Sequence, residues 1–303
     1  MIEKKRVIAL GFFDGIHIGH AALMRRILEV GQEKNLIPSV ITFDTHPRSL
    51  VDGKEMLLIN SPEDRAGLLR RVFGIDDVII LHFDKSTVSM TWDKFILHLI
   101  DEFGARHLVA GNDFKFGYGG EGNSAQLTKI CGDAEIGCDI IPDIMYDGVI
   151  SSSTYIRKLL LAGDIERANA FLGHPHVLTD IVRYGYKLGR TLGTPTINMR
   201  FSLGVLVPAF GVYATKVYLE GMENDCADAR IGVTNIGIRP TVDDSGLVTA
   251  ETHILDFQRN LYGHQVRIEF YKRLRPEIKF DNVNELKAQI HRDCRAAFDY
   301  FNA

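Results

Sequence analysis

Five short β-branched runs, Val7 to Leu10, Val40 to Phe43, Val78 to Leu81, His107 to Ala110 and Asp139 to Ile141, punctuate the first half of the chain. Between them, Ala21 to Lys34, Pro62 to Phe73 and Trp92 to Phe103 carry apolar residues every three or four positions, as in Leu68, Leu69 and Val72, the spacing of amphipathic helices. Runs that are apolar on both faces must be covered on both, and parallel neighbours need a helix-length crossover. The alternation therefore predicts a parallel sheet with helices on its faces, although strand order is not readable from it.

Near Ile150 the pattern changes. Ser152 to Leu161 and Ile165 to Leu172 form a helical pair around a Gly163-Asp164 break, and Gly173-His174-Pro175-His176 stops helix formation. Short alternating runs follow, Val177 to Tyr184, Gly211 to Leu219, Arg230 to Ile236, Thr249 to Phe257 and Gln265 to Tyr271, as in an antiparallel sandwich or small barrel. Val283, Leu286, Ile290, Cys294, Ala297 and Phe301 then predict one amphipathic helix over part of the barrel, behind Asp281 as its cap. The expected division is a domain over 1–176, helical pair included, and a second over 177–303.

Apolar residues make up 46% of the 303, enough for two packed cores. Thirty-five Lys and Arg stand against 39 Asp and Glu, with no basic block to follow a phosphate backbone, so no nucleic-acid partner is expected. The apolar run before Asp14 is too short for a signal segment, and no stretch is long enough to span a bilayer. Cys131, Cys138, Cys226 and Cys294 have no CxxC spacing and read as small buried hydrophobes in a reducing, cytoplasmic chain. No membrane partner is expected, and oligomeric state is not legible.

Gly11 to His20, GFFDGIHIGH, follows the first strand directly and opens a helix. Its glycines let the backbone approach a ligand, and a helix start offers unpaired N–H groups to an anion. His17 and His20, three apart, project to one side of the first turn. There they can donate hydrogen bonds to phosphoryl oxygens that gain charge in a transition state, which suits nucleotidyl transfer. A glycine turn whose histidines cap the helix fits the same residues. At Ser151 to Arg157, SSSTYIR, hydroxyls at a helix start and Arg157 suit a phosphate and a leaving pyrophosphate, with ordinary N-capping as the plain alternative.

The second half holds Gly185 to Asn198, GYKLGRTLGTPTIN, a glycine-punctuated loop running into an extended segment. Thr196 and Asn198, two apart, share a face and offer oxygen ligands of the kind Mg²⁺ takes. A barrel corner with Pro195 fixing the turn accounts for them equally. Glu251 is either a base at a barrel mouth or an exposed strand carboxylate.

In order and spacing these motifs resemble the prokaryotic bifunctional riboflavin kinase/FAD synthetase (FMN adenylyltransferase) family. GFFDGIHIGH, ITFDTHP at Ile41 to Pro47, Phe83-Asp84, Trp92 to Phe95, GNDFKFG at Gly111 to Gly117 and SSTYIR at Ser152 to Arg157 carry the resemblance over nearly all of 5–175. GRTLGTPTIN, PAFGVY at Pro208 to Tyr213, NIGIRPT at Asn235 to Thr241, ETHILDF at Glu251 to Phe257, LYG at Leu261 to Gly263, Arg275, Phe280 and the closing helix carry it from about Leu178 onward. The resemblance implies an N-terminal Rossmann-like nucleotidyltransferase sheet and a C-terminal small antiparallel β-barrel with a C-terminal helix. The implied substrates and products are riboflavin, FMN, FAD and ATP, with Mg²⁺ as cofactor.

By the same resemblance, His17 and His20 stabilise the α-phosphate of ATP, and Arg157 with Ser153 and Thr154 holds its phosphates. Gly11, Phe13, Asp14, Gly15 and Gly19 line the ATP site, and Phe43, Asn112, Asp113 and Phe114 the flavin side. In the second domain Gly189, Arg190, Gly193 and Pro195 would bind ATP, Thr196 and Asn198 the metal, Asn235 and Arg275 flavin, while Glu251 acts as base. Four positions depart from the family pattern: Gly120 and Tyr155 where Arg is usual, Phe12 for Asn, and Ile197 for Ala. Gly120 and Tyr155 leave open a riboflavin kinase with a non-adenylylating N-terminal half; a flavin-binding regulator is a separate alternative, against which the intact Thr196, Asn198 and Glu251 argue.

Overall fold

The computed structural model describes residues 4–45, 56–82, 89–184, 194–219, 229–238 and 248–303. They form two compact units, Met1–Ser153 and Thr154–Ala303.

The first unit runs β1 (Arg6–Leu10), α1 (Ile18–Lys34), β2 (Ile37–Phe43), α2 (Pro62–Phe73), β3 (Asp77–Leu81), α3 (Trp92–Phe103), β4 (Ala105–Gly111), α4 (Ser124–Asp133) and β5 (Gly137–Ile141). All five strands are parallel, in the order β3-β2-β1-β4-β5. The order reverses between β1 and β4, so a crevice at their carboxyl ends is where this architecture takes a ligand. Val7, Ile8 and Ala9 of the central strand are fully buried, and Leu10, Ile41, Phe95, Leu99, Leu108 and Leu127 pack one face of the core. Helix α2 starts at Ser61, whose side chain accepts from the Asp64 N–H, with Pro62 in its first turn, and ends at Gly74 in the left-handed region.

One helix and one hairpin were not read from the sequence. Helix α4 is short and buries only Leu127, Ile130 and Cys131. The hairpin of β6 (Met145–Tyr146) and β7 (Val149–Ile150) turns through Asp147 and Gly148, both at positive φ.

The second unit contains α5 (Ser153–Ala162, from Thr154 onward), α6 (Ile165–Leu172) and an antiparallel sheet of β8 (His176–Ile181), β9 (Thr196–Arg200), β10 (Gly211–Leu219), β11 (Arg230–Ile238), β12 (Val248–Ile254) and β13 (Gln265–Arg275). Its order is β8-β13-β10-β11-β12-β9. The sheet curls until its edges meet beyond β8, where the Arg183 N–H donates to the Asn198 carbonyl at 2.9 Å. Ala297 and Cys294 of α7 (Val283–Asn302) cover Val212, Ala214 and Val233.

The helical pair, expected with the first domain, groups here with the second. Asn169 of α6 donates to the Phe270 carbonyl at 2.7 Å and accepts from the His176 N–H at 2.8 Å, and the Leu160 carbonyl accepts from the Ala209 N–H. The cap of α7 also shifts by one residue. Asn282, not Asp281, accepts from the Glu285 N–H and donates to the Glu285 carboxylate, because its extended backbone aims the side chain at the first turn.

Candidate active sites

The loop between β1 and α1 holds left-handed backbone at Phe13, Gly15 and Ile16, two of them residues that rarely adopt it. It is held from outside. Asp14 Oδ1 accepts from the Ile59 and Asn60 N–H groups at 2.8 and 3.3 Å, and Ser153 Oγ donates to the Asp14 carbonyl at 2.8 Å. A Cβ at Gly19 would come within 2.9 Å of the His17 ring, so close passage of backbone and imidazole requires glycine there.

His17 caps α1, its Nδ1 accepting from the Gly19 N–H at 3.2 Å, which leaves Nε2 as the donor in a neutral ring. His17 and His20 stack, with centroids 3.7 Å apart. Burial first, then the fields of His17 and Arg65, holds His20 well below the usual imidazole pKa, so it is neutral at pH 7. Its buried Nδ1 has no hydrogen-bond partner.

The sheet register brings Gly11, Phe43 and Asn112 to the same carboxyl edge, following β1, at the end of β2 and following β4. Phe43 is buried, Asn112 and Asp113 are exposed, and Phe114 stacks on Phe116. Gly120, where the resemblance leads us to expect Arg, has φ +69, and a Cβ there would lie 3.5 Å from Lys115 Cβ. Thr154 and Arg157 lie on α5 in the second unit, and Tyr155 packs edge-on against Phe171 of α6. Cys131 is buried as expected, its hydrogen bond to Cys138 and then burial raising its pKa, whereas Cys138 and Cys294 are only half-buried.

In the second unit the candidate residues lie in one row. Strand register sets Asn198 opposite Glu251, Glu251 opposite Asn235, Asn235 opposite Val212, and Val212 opposite Arg275, so all five face one side of the sheet. A cavity of about 310 Å³ opens on that side, lined by Thr194, Thr196, Asn235, Glu251, Arg275 and Phe280 among others. A second, of about 260 Å³, is lined by Pro195, Thr196, Ile197, Thr252, Phe257 and Tyr262. Thr196 borders both. Arg275 is paired with Asp293 of α7 through Nε at 3.1 Å and Nη2 at 2.8 Å, and Asn235 donates to Glu277 at 3.4 Å. His253 Nδ1 lies 2.9 Å from the Pro195 carbonyl.

Sequence reasoning missed Thr194. Its hydroxyl is buried and unpartnered in the first cavity, and its place two residues before Thr196 was the available signal. Gly189, Arg190, Gly193, Cys226, Phe83, Asp84, His46 and Pro47 lie outside the described residues. Thr194 and Thr196 line the cavity with Glu251, and Asn198 is the cross-strand partner of Glu251; these few hard oxygen donors are of the kind that fits Mg²⁺.

A family model for FAD synthetase matches residues 1–155, and one for riboflavin kinase matches residues 172–301. Proteins from Bacillus subtilis and Escherichia coli named bifunctional riboflavin kinase/FMN adenylyltransferase are 34% and 35% identical, over 99% and 97% of this chain and 94% and 92% of theirs. The chain belongs to the bifunctional riboflavin kinase/FMN adenylyltransferase family. A Listeria monocytogenes relative of the same name is 33% identical over 96% of this chain and 91% of its own.

A crystal structure described as a macrolide-efflux protein from Streptococcus pneumoniae has the same fold as this family member. Its TM-score is 0.83 at 28% identity, over 98% of this chain and 95% of that one. Among the described residues here, no helix is long and apolar enough to cross a membrane.

Proposed function

We propose that the chain carries out both reactions named for its relatives: ATP-dependent phosphorylation of riboflavin to FMN in the second unit, and adenylyl transfer from ATP to FMN, releasing pyrophosphate, in the first. The observation that carries the reading is the five-strand row bearing Asn198, Glu251, Asn235 and Arg275 over one cavity, with a second cavity meeting it at Thr196.

For the kinase step, riboflavin occupies the cavity beside Asn235 and Arg275, and ATP the one beside Pro195 and Tyr262. Glu251 takes the proton of the ribityl hydroxyl as its oxygen bonds to the γ-phosphorus, and ADP leaves with the bridging oxygen. Thr196 and Asn198 would hold Mg²⁺, which when bound neutralises phosphate charge.

For adenylyl transfer, a phosphate oxygen of FMN attacks the α-phosphorus of ATP and the bond to the bridging oxygen of pyrophosphate breaks. His17 Nε2–H and the neutral His20 donate to the non-bridging oxygens that gain charge. Ser153 serves here through the loop, since its hydroxyl donates to the Asp14 carbonyl. Lys115, beside Gly120, supports retention of this activity by offering a cation in the loop where the family's Arg is absent.

Both substrates and products are small molecules, and ATP use and free thiols accord with the cytoplasm. The direct test is incubation with riboflavin, ATP and Mg²⁺ followed by chromatography of the flavins over time. FMN followed by FAD is expected. FMN accumulating with no FAD, even when FMN is supplied directly, would leave a riboflavin kinase alone, and flavin binding without turnover a regulator.

A further inference from the structure

Helix α2 carries Arg65, which its sequence, PEDRAGLL, does not distinguish from any solvent-facing arginine. In the fold it is completely buried, the largest fully buried side chain described. Burial lowers its pKa from the usual value, opposed through space by Asp14, Glu63 and Asp44. Every side-chain hydrogen bond it makes among the described residues passes through one nitrogen. Nη1 donates to the Phe12 carbonyl at 2.9 Å, Thr42 Oγ1 at 2.7 Å and the Phe43 carbonyl at 2.9 Å. Thr42 Oγ1 in turn donates to the Phe12 carbonyl at 2.7 Å, and the guanidinium sits 4.4 Å from the centre of the Phe12 ring. The edge formed by Nε and Nη2, which ordinarily grips a carboxylate or phosphate, has no partner.

These contacts fall where β1 and β2 end, one residue before the left-handed Phe13. Backbone of that kind persists only where its surroundings impose it. Helix α2 and its flank impose it twice, through Arg65 on Phe12 and through the Ile59 and Asn60 N–H groups on Asp14.

We infer that Arg65 is a positioning residue for adenylyl transfer: one buried cationic nitrogen pins the main chain of Phe12 and Phe43 and so holds the loop that presents His17 and His20. The inference rests on the proposed adenylyl-transfer reading. The chemistry asks for a cationic nitrogen at one point, not for a guanidinium. A lysine ammonium has three donors for the three acceptors, whereas Nη1 shares two.

The test compares Arg65→Lys, Arg65→Met and His17→Ala in the full chain, measuring FMN-to-FAD and riboflavin-to-FMN conversion in parallel. Arg65→Lys is expected to keep FAD formation within about 5-fold and to melt no lower than the parent, since two unpartnered buried donors disappear. Arg65→Met is expected to lose about 100-fold in kcat for FAD formation, with kinase kcat and the KM for riboflavin unchanged. Full FAD formation in Arg65→Met would overturn the inference. So would a Lys variant as inactive as Met, because the open Nε and Nη2 edge would then be the working part. FAD formation at the parental rate in His17→Ala would instead overturn the adenylyl-transfer reading on which all of this stands.

Discussion

The two candidate sites are built by opposite means. In the first unit the two candidate imidazoles sit within ten consecutive residues, Gly11 to His20, and the fold's work is to hold a strained loop. In the second, Asn198, Asn235, Glu251 and Arg275 come from four strands and meet only through register. A loop site is vulnerable to whatever releases its clamps, and a register site to whatever slips a strand by one residue, since that would turn every member of the row to the other face.

The sharpest way to break the comparison is to remove chemistry from one site and read both. Glu251→Gln keeps the shape of the row and removes the base, so the kinase rate should fall roughly 10²- to 10⁴-fold while supplied FMN is still adenylylated. A parallel fall in FAD formation from FMN in a folded variant would mean the sites are not independent. His17→Ala is the converse. FAD formation should drop roughly 10²- to 10³-fold with FMN formation intact, and a kinase defect would show that the imidazole pair serves other chemistry.

These residues stood out as candidates because they sit in dense local motifs, and the strands were legible because buried parallel strands are nearly continuous apolar, largely β-branched runs. Pro62 to Phe73 and Trp92 to Phe103 coincide with α2 and α3 because each has a signal at both ends, a Ser or Thr before and a glycine after. Helix α4 lacked an apolar stripe long enough to register. Strand order and the row across the sheet were beyond reach, because pairing Asn198 with Glu251 depends on where the chain returns. Arg65 was invisible for a different reason: its sequence neighbours say amphipathic helix, and only packing turns it inward.

The register site depends on α7, and Asp293→Ala measures by how much. Asp293 is 5% exposed and pairs with Arg275, so removing it leaves a guanidinium without its partner on the cavity wall. Breaking such a pair costs about 3 kcal/mol. The second unit should unfold at lower urea concentration and the KM for riboflavin should rise, with FAD formation from FMN unchanged. Unaltered riboflavin affinity would detach Arg275 from flavin binding.

Acid should separate the units too. His176 is fully buried with both ring nitrogens unpartnered, and burial, with a smaller contribution from His174, pushes its pKa down to about 3. The unfolded chain takes up that proton near the ordinary pKa of 6.5, before the folded chain can. Stability from the neutral ring is therefore present above pH 6.5 and declines as pH falls toward 3, by about 1.4 kcal/mol per unit. Urea midpoints at pH 7 and pH 5 should differ less in His176→Leu than in the parent. An equal difference would move the acid sensitivity elsewhere, to His107 or His20, whose pKa values burial also lowers.

The smallest effect expected is the most informative about how the loop site tolerates its departures from the family. At Gly120 the backbone stands at φ +69, a conformation that suits glycine, and the space for a Cβ opens beside Lys115. Gly120→Arg restores the family's charge but imposes a strained conformation costing about 1 kcal/mol. An added cation beside an existing one at a half-exposed loop is worth no more than about 1 kcal/mol, so the two nearly cancel. FAD formation should change by less than about 5-fold and the melting temperature should fall slightly. A gain well beyond that would mean Lys115 does not serve the phosphates and that this loop, unlike the row across the second sheet, lacks a charge it needs.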